Sequence, residues 1–193
     1  MNKIILSLVI IFIFVGKVHS QSKHEKDSMA IKRIVFEFYD WYIMSILEKN
    51  YSEITPQFVE NEKGFTTLDF SKYLNNLRFY NFSDSLIEME RQTYNDCISN
   101  LEKVEYSTFL SEWIDLDYFE SSNCDFSNSF RWIGGMEPIE CIKFTDTKLQ
   151  SDNRGIVRLE FCNKDSNGES IYWGNKEVIL ERQNEKWKIM QIE

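Results

Sequence analysis

After Pro138 the apolar residues of this chain change period. Upstream they recur at spacings of three and four, downstream at every second position. A spacing near 3.6 keeps side chains on one face of a helix, and a spacing of two keeps them on one face of a strand. Downstream, Val157, Leu159 and Phe161 alternate with Arg158 and Glu160, and Trp187 and Ile189 alternate with Lys188 and Met190. The predicted strands are 139–149, 155–163, 170–182 and 187–192. The turns Ser151-Asp152-Asn153, Asn167-Gly168 and Asn184-Glu185-Lys186 separate them.

Upstream, Ile31, Ile34, Val35, Phe38, Trp41, Tyr42 and Ile46 predict an amphipathic helix over 28–50, capped by Asp27 or Ser28 and ended by Asn50. A connection containing Pro56 follows. Thr67 is placed to cap a second helix carrying Leu68, Leu74, Leu77 and Tyr80. Ser83 caps a third, carrying Ile87, Tyr94, Cys97, Ile98 and Leu101, and a short helical turn falls near 107–114. Helices followed by an antiparallel meander predict an α+β fold, with the N-terminal helices packed on one face of a curved antiparallel sheet.

The first twenty residues are read apart from that fold. Lys3 gives a positive start, residues 4–15 are almost unbroken apolar sequence, and Val18-His19-Ser20 suits a signal peptidase. The apolar run falls short of the ~20 residues of a membrane span. Residues 1–20 are therefore expected to be a signal peptide and 21–193 a single exported domain, periplasmic or secreted, with no membrane anchor after cleavage. Cleavage removes Lys3 and Lys17 and takes the formal charge from -9 to -11. Such a chain repels phosphate backbones and anionic membranes, so no nucleic acid is expected, and a basic protein or an unknown small ligand fits better. The only histidines are His19 and His24, which leaves the body without imidazole for Ser-His-Asp or Cys-His nucleophiles. No metal or other cofactor is expected.

Four cysteines in an exported chain permit three pairings. Cys141 and Cys162 stand ten residues before and after the Ser151-Asp152 turn, so a regular hairpin would set them opposite one another. Cys97 would then pair with Cys124. The absence of a CxxC motif speaks against redox catalysis. The densest acidic stretch is 115–125, with Asp115, Asp117, Glu120 and Asp125. It fails the EF-hand pattern at Phe119 and Glu120 and reads as a solvated loop whose acids cap nearby backbone. The aromatics Phe38, Tyr39, Trp41, Tyr42, Trp113, Tyr118, Phe119, Trp132 and Trp173 read chiefly as core, with Trp41 and Trp187 both buried. Gly134-Gly135 reads as a turn. Asn50-Tyr51-Ser52 and Asn81-Phe82-Ser83 match the glycosylation pattern and serve equally as helix ends.

The run Phe38-Tyr39-Asp40-Trp41-Tyr42, the late strands and the ending Glu185-Lys186-Trp187-Lys188-Ile189 resemble the nuclear-transport-factor-2-like, or cystatin-like, superfamily. With Asp115-Leu116-Asp117-Tyr118-Phe119, the helix motif resembles an exported bacterial branch of unknown function. The resemblance implies a cone-shaped fold with a cavity between sheet and long helix. It implies no activity, because relatives include enzymes, binders and dimerisation modules. In that fold the polar tips of Tyr39, Asp40 and Tyr42 would point into the cavity, and with Asp115 and Asp117 they form the candidate binding set. The first reading is a non-catalytic binding or protein-interaction domain with no assigned catalytic residue. The alternatives are a carboxylate- and Tyr-dependent hydrolase, dehydratase or isomerase, or an inhibitor or immunity protein covering a basic cell-wall hydrolase. Ligand and oligomeric state stay open.

Overall fold

Residues 21–26 contain neither Gly nor Pro, and most are good helix formers, so nothing in them stops a helix from propagating. In the computed structural model, which describes residues 2–112, 116–128 and 130–193, a single helix α1 (Asn2–Leu47) runs through the predicted start at Asp27. The Asp27 carboxylate caps nothing there. It accepts a hydrogen bond from Arg182 and ties the helix to the sheet. Ile31, Ile34, Val35, Phe38, Tyr39, Tyr42, Ile43 and Ile46 form the buried face. The C-terminal turn closes three residues earlier than the sequence predicts. Lys49 takes the left-handed conformation (φ 59°), Asn50 N–H reaches Ser45 O at 2.8 Å and Lys49 N–H reaches Ile46 O at 3.0 Å, a Schellman end.

The segment predicted to be a plain connection holds a 3-10 turn (Tyr51–Glu53) and a hairpin of β1 (Gln57–Glu60) and β2 (Thr66–Asp69). Thr67 therefore lies in a strand and caps no helix. Pairing decides this: Thr66 N–H and Oγ1 both donate to Val104 O, which holds β2 extended. Helix α2 (Ser71–Phe79) starts later, behind Asp69, whose carboxylate accepts from Ser71 N–H at 2.8 Å. The predicted third helix divides into α3 (Asp84–Gln92) and α4 (Asn95–Leu101). Helix α5 (Tyr106–Glu112) occupies the predicted helical turn, and α6 (Leu116–Ser121) follows.

Ser83 caps α3 as expected, its Oγ accepting from Leu86 N–H at 3.1 Å in a buried setting. Replacing Ser83 by Ala should cost about 1 kcal/mol, read as a lower urea midpoint at unchanged slope. An unchanged midpoint would mean that the cap contributes nothing.

Four strands follow: β3 (Cys141–Ser151), β4 (Arg154–Lys164), β5 (Ser170–Gln183) and β6 (Lys186–Ile192), antiparallel and in sequence order. The molecule is thus α+β, with helices against a four-stranded antiparallel sheet. Asn184 and Glu185 both have positive φ, as the two-residue turn before β6 requires. Gly155 lies where α1 meets β4. A Cβ there would sit 2.6 Å from Ile31 Cδ1, so glycine lets helix and sheet close together. At the β6 edge, Ile189 N–H donates to Asn81 O and Ser83 N–H donates to Ile189 O, docking the α2–α3 corner on the strand. Edge strand β3 pairs with β4 alone.

Cys141 and Cys162 are direct partners in the β3–β4 register, Cα atoms 5.0 Å apart, and they form a disulfide. Cys97 and Cys124 form the second, at 4.9 Å. Cys124 is delivered by another Schellman end, with Asn123 at φ 55° and Cys124 N–H on Phe119 O at 2.7 Å. Both bonds are those expected of an oxidising compartment. This second disulfide lies in a smaller apolar cluster with Leu68, Tyr94, Leu101 and Phe109, and Phe70 packs against both that cluster and the main core. Trp187 is buried as expected, but Trp41 is only half-buried, because its ring stacks on Tyr80 at the rim of the helix.

Candidate functional site

The sequence offers Tyr39, Asp40, Tyr42, Asp115 and Asp117 as site residues, and the fold separates them. Tyr39 and Tyr42 face inward and are fully buried. Tyr39 donates its hydroxyl proton to Trp132 O at 3.1 Å, and Tyr42 Oη accepts from Trp132 N–H at 3.5 Å. Trp132 is held between them by a tight turn in which Phe130 N–H donates to Gly135 O, with Gly134 at φ 82°. Asp117 is exposed on α6, away from α1. Asp115 lies outside the described residues.

Beyond Trp132 the polar groups continue into a buried network that the sequence did not reveal. Trp132 Nε1–H donates to Tyr73 Oη at 3.1 Å. Tyr73 and Tyr94 both donate to Glu90 Oε1 at 2.9 Å, and Arg131 Nε–H donates to Glu90 Oε2 at 2.9 Å. The Glu90 side chain has no exposure, while Arg131 is half-exposed. Burial first, and then the Glu90 charge, pushes the Tyr73 and Tyr94 phenols far above their ordinary range. Three hydrogen bonds converge on the carboxylate, so its oxygens are committed to Tyr73, Tyr94 and Arg131. This is how a buried charge is made tolerable, and it ties α2, α3 and the Phe130–Gly135 turn into one unit.

Asp40 faces the other way. On the outer side of α1, Phe36, Asp40, Met44 and Glu48 repeat every fourth residue and so form one stripe. Glu37 and Trp41 flank it, and Phe79, Tyr80 and Glu53 form the opposite wall of an open groove of about 750 Å³. Its apolar side chains are left to solvent: Phe36 is 48 %, Met44 45 % and Phe79 76 % exposed. Trp41 and Tyr80 stack at 4.6 Å, and Phe79 stands at 83° to Tyr80. Of the acids, Glu53 is paired with Lys72 at 2.7 Å and Glu37 sits 3.6 Å from Arg33. Among the described residues, Asp40 and Glu48 have no ion-pair partner. Burial first, and then the charges of Asp40, Glu37 and Glu53, raise the Tyr80 phenol above its ordinary value. The phenol therefore sits inside a ring of negative charge.

The signal for this groove was present in the sequence. Phe36 and Met44 are apolar yet out of phase with the buried face of α1. The opposite wall comes from α2, which only the tertiary fold brings near. The sheet differs in its charges. Arg158 bonds Asp146 at 3.0 Å and Glu177 at 2.7 Å, and Arg154 bonds Glu181 at 2.7 Å, so those acids are neutralised where they stand. No family model, no curated protein and no solved structure matches this chain.

Proposed function

We propose that this chain is an exported, non-catalytic binding domain whose working surface is the groove on the outer face of α1. Residues 1–20 are its signal peptide, and residues 21–193 form a cone of the nuclear-transport-factor-2-like kind in the periplasm or outside the cell. One observation carries the binding reading: exposed aromatic and Met side chains are set among acids of which Asp40 and Glu48 are unpaired. Apolar surface ringed by a single sign of charge is a recognition surface for groups that are both apolar and cationic. The commitment of Glu90, Tyr73 and Tyr94 to one another favours this reading over an acid–base enzyme, which keeps such groups open to a substrate.

The test uses benzyltrimethylammonium and its uncharged carbon isostere. Addition of the cation should shift the indole N–H resonance of Trp41 and backbone resonances of residues 79 and 80. The Asp40→Asn, Glu48→Gln double variant should weaken that response several-fold. Equal shifts with the uncharged isostere, or shifts confined to other parts of the molecule, would overturn the reading.

A further inference from the structure

This inference rests on the groove being the binding surface and concerns what fills it. We propose that the groove receives an amphipathic helix of a basic protein partner, with the partner's apolar side chains on Phe36, Met44 and Phe79 and its Lys or Arg side chains on Asp40 and Glu48.

The length of the stripe argues for a segment over a small cation. From Phe36 to Glu48 the outer face of α1 extends about 18 Å, at 1.5 Å per residue. Apolar and acidic side chains alternate along it in steps of about 6 Å, so a single cationic group could satisfy only one of the acids. An occupant with several cations in register with several apolar groups meets all of them. A helix with apolar residues three and four apart and Lys or Arg beside them has that repeat.

The walls argue for a helix over an extended peptide. The groove is built mainly from α1 and the end of α2, whose backbone groups are hydrogen-bonded within those helices. A strand laid there would find no ladder to join and would leave its own N–H and C=O groups without protein partners. A helix brings its backbone already satisfied.

Charge selects the partner's sign. The chain carries -9 as written and -11 once residues 1–20 are removed. A second copy would bring acid against acid, and an anionic bilayer would be repelled in the same way. On the sheet, Asp146, Glu177 and Glu181 are held by Arg154 and Arg158, whereas in the groove the unpaired carboxylates of Asp40 and Glu48 stand beside the exposed Phe36, Met44 and Phe79.

The test titrates the purified protein with three 14-residue peptides. One is a Lys/Leu peptide patterned as an amphipathic helix. The second is its scrambled isomer of identical composition, and the third is the same helical pattern with Glu in place of Lys. Calorimetry measures affinity, backbone resonances locate the contact, and circular dichroism reports whether the peptide becomes helical. The patterned Lys/Leu peptide is expected to bind at the groove, to gain helicity, and to bind at least about tenfold tighter than its scramble, with affinity falling as salt rises. Asp40→Lys with Glu48→Lys should weaken it by about tenfold or more, and these exposed positions should leave the thermal midpoint nearly unchanged. If benzyltrimethylammonium binds in the groove while the patterned peptide does no better than its scramble, the helical partner is ruled out and the binding reading survives. If neither probe reaches the groove, both fall. Peptide binding that ignores the charge reversals, or tight binding of the Glu peptide, also overturns the inference.

Discussion

Replacing Arg131 with Ala should destabilise the fold by about 3 kcal/mol. The substitution leaves Glu90, whose side chain has no exposure, with two phenol donors and no counter-charge. Removing one partner of a buried pair is costly because the other charge stays behind without water, and the figure is set at the low end because Arg131 is itself half-exposed. Urea unfolding measures it. Pairing Arg131→Ala with Glu90→Gln should recover part of the loss, since the amide keeps an acceptor for Tyr73 and Tyr94 and carries no charge. A loss under about 1 kcal/mol for Arg131→Ala would mean that water takes the place of the guanidinium and that the network is not sealed.

Raising the pH should unfold the protein steeply above pH 10. Tyr39, Tyr42, Tyr73 and Tyr94 all have phenol pKa values raised above the ordinary value of 10.0, in each case first because burial disfavours the phenolate. Each therefore holds its proton to higher pH in the folded chain than in the unfolded one. The stability linked to that difference is fully present below about pH 10 and is lost as pH rises toward the raised folded values. Four such groups remove about 1 kcal/mol each, roughly 4 kcal/mol together, between pH 10 and pH 11. Urea midpoints at pH 9, 10 and 11 give the slope. Tyrosinate absorbance should rise in two stages, exposed tyrosines first and the buried four only with unfolding. A single smooth titration of all nine tyrosines in the folded protein would contradict the burial.

The sheet was legible in the sequence because its determinants are local. Alternation and turn residues are enough to place β3 to β6, and counting ten residues either side of the Ser151-Asp152 turn aligns Cys141 with Cys162. The helix ends were less legible. Asp27 and Thr67 are good caps by type, but Arg182 engages the first, and the second lies in β2, which its neighbour Thr66 pins to Val104, so both outcomes are decided by residues distant in sequence. Glu90 carried only a faint sequence signal. On α3 it stands in phase with the buried Leu86 and Ile87, three residues after Ile87 and four before Tyr94, but an acid at one such position does not by itself name the partners Tyr73, Tyr94 and Arg131 that satisfy it. Asp40 was marked as a site residue for pointing inward with Tyr39 and Tyr42, yet one residue is about 100° on a helix, and that turn puts it in the outer groove.

The docking of Asn81 and Ser83 on Ile189 has a consequence for how this molecule meets copies of itself. Growth of a continuous sheet through many molecules needs two open edges, one to receive and one to offer. Here the α2–α3 corner occupies the middle of one edge, which leaves β3 as the other. Edge-to-edge pairing of the four-stranded sheet through β3 would join two molecules whose outer β6 margins are both interrupted by the corner at Ile189. The corner therefore stands in the way of continuous growth of this sheet from molecule to molecule for as long as it stays in place.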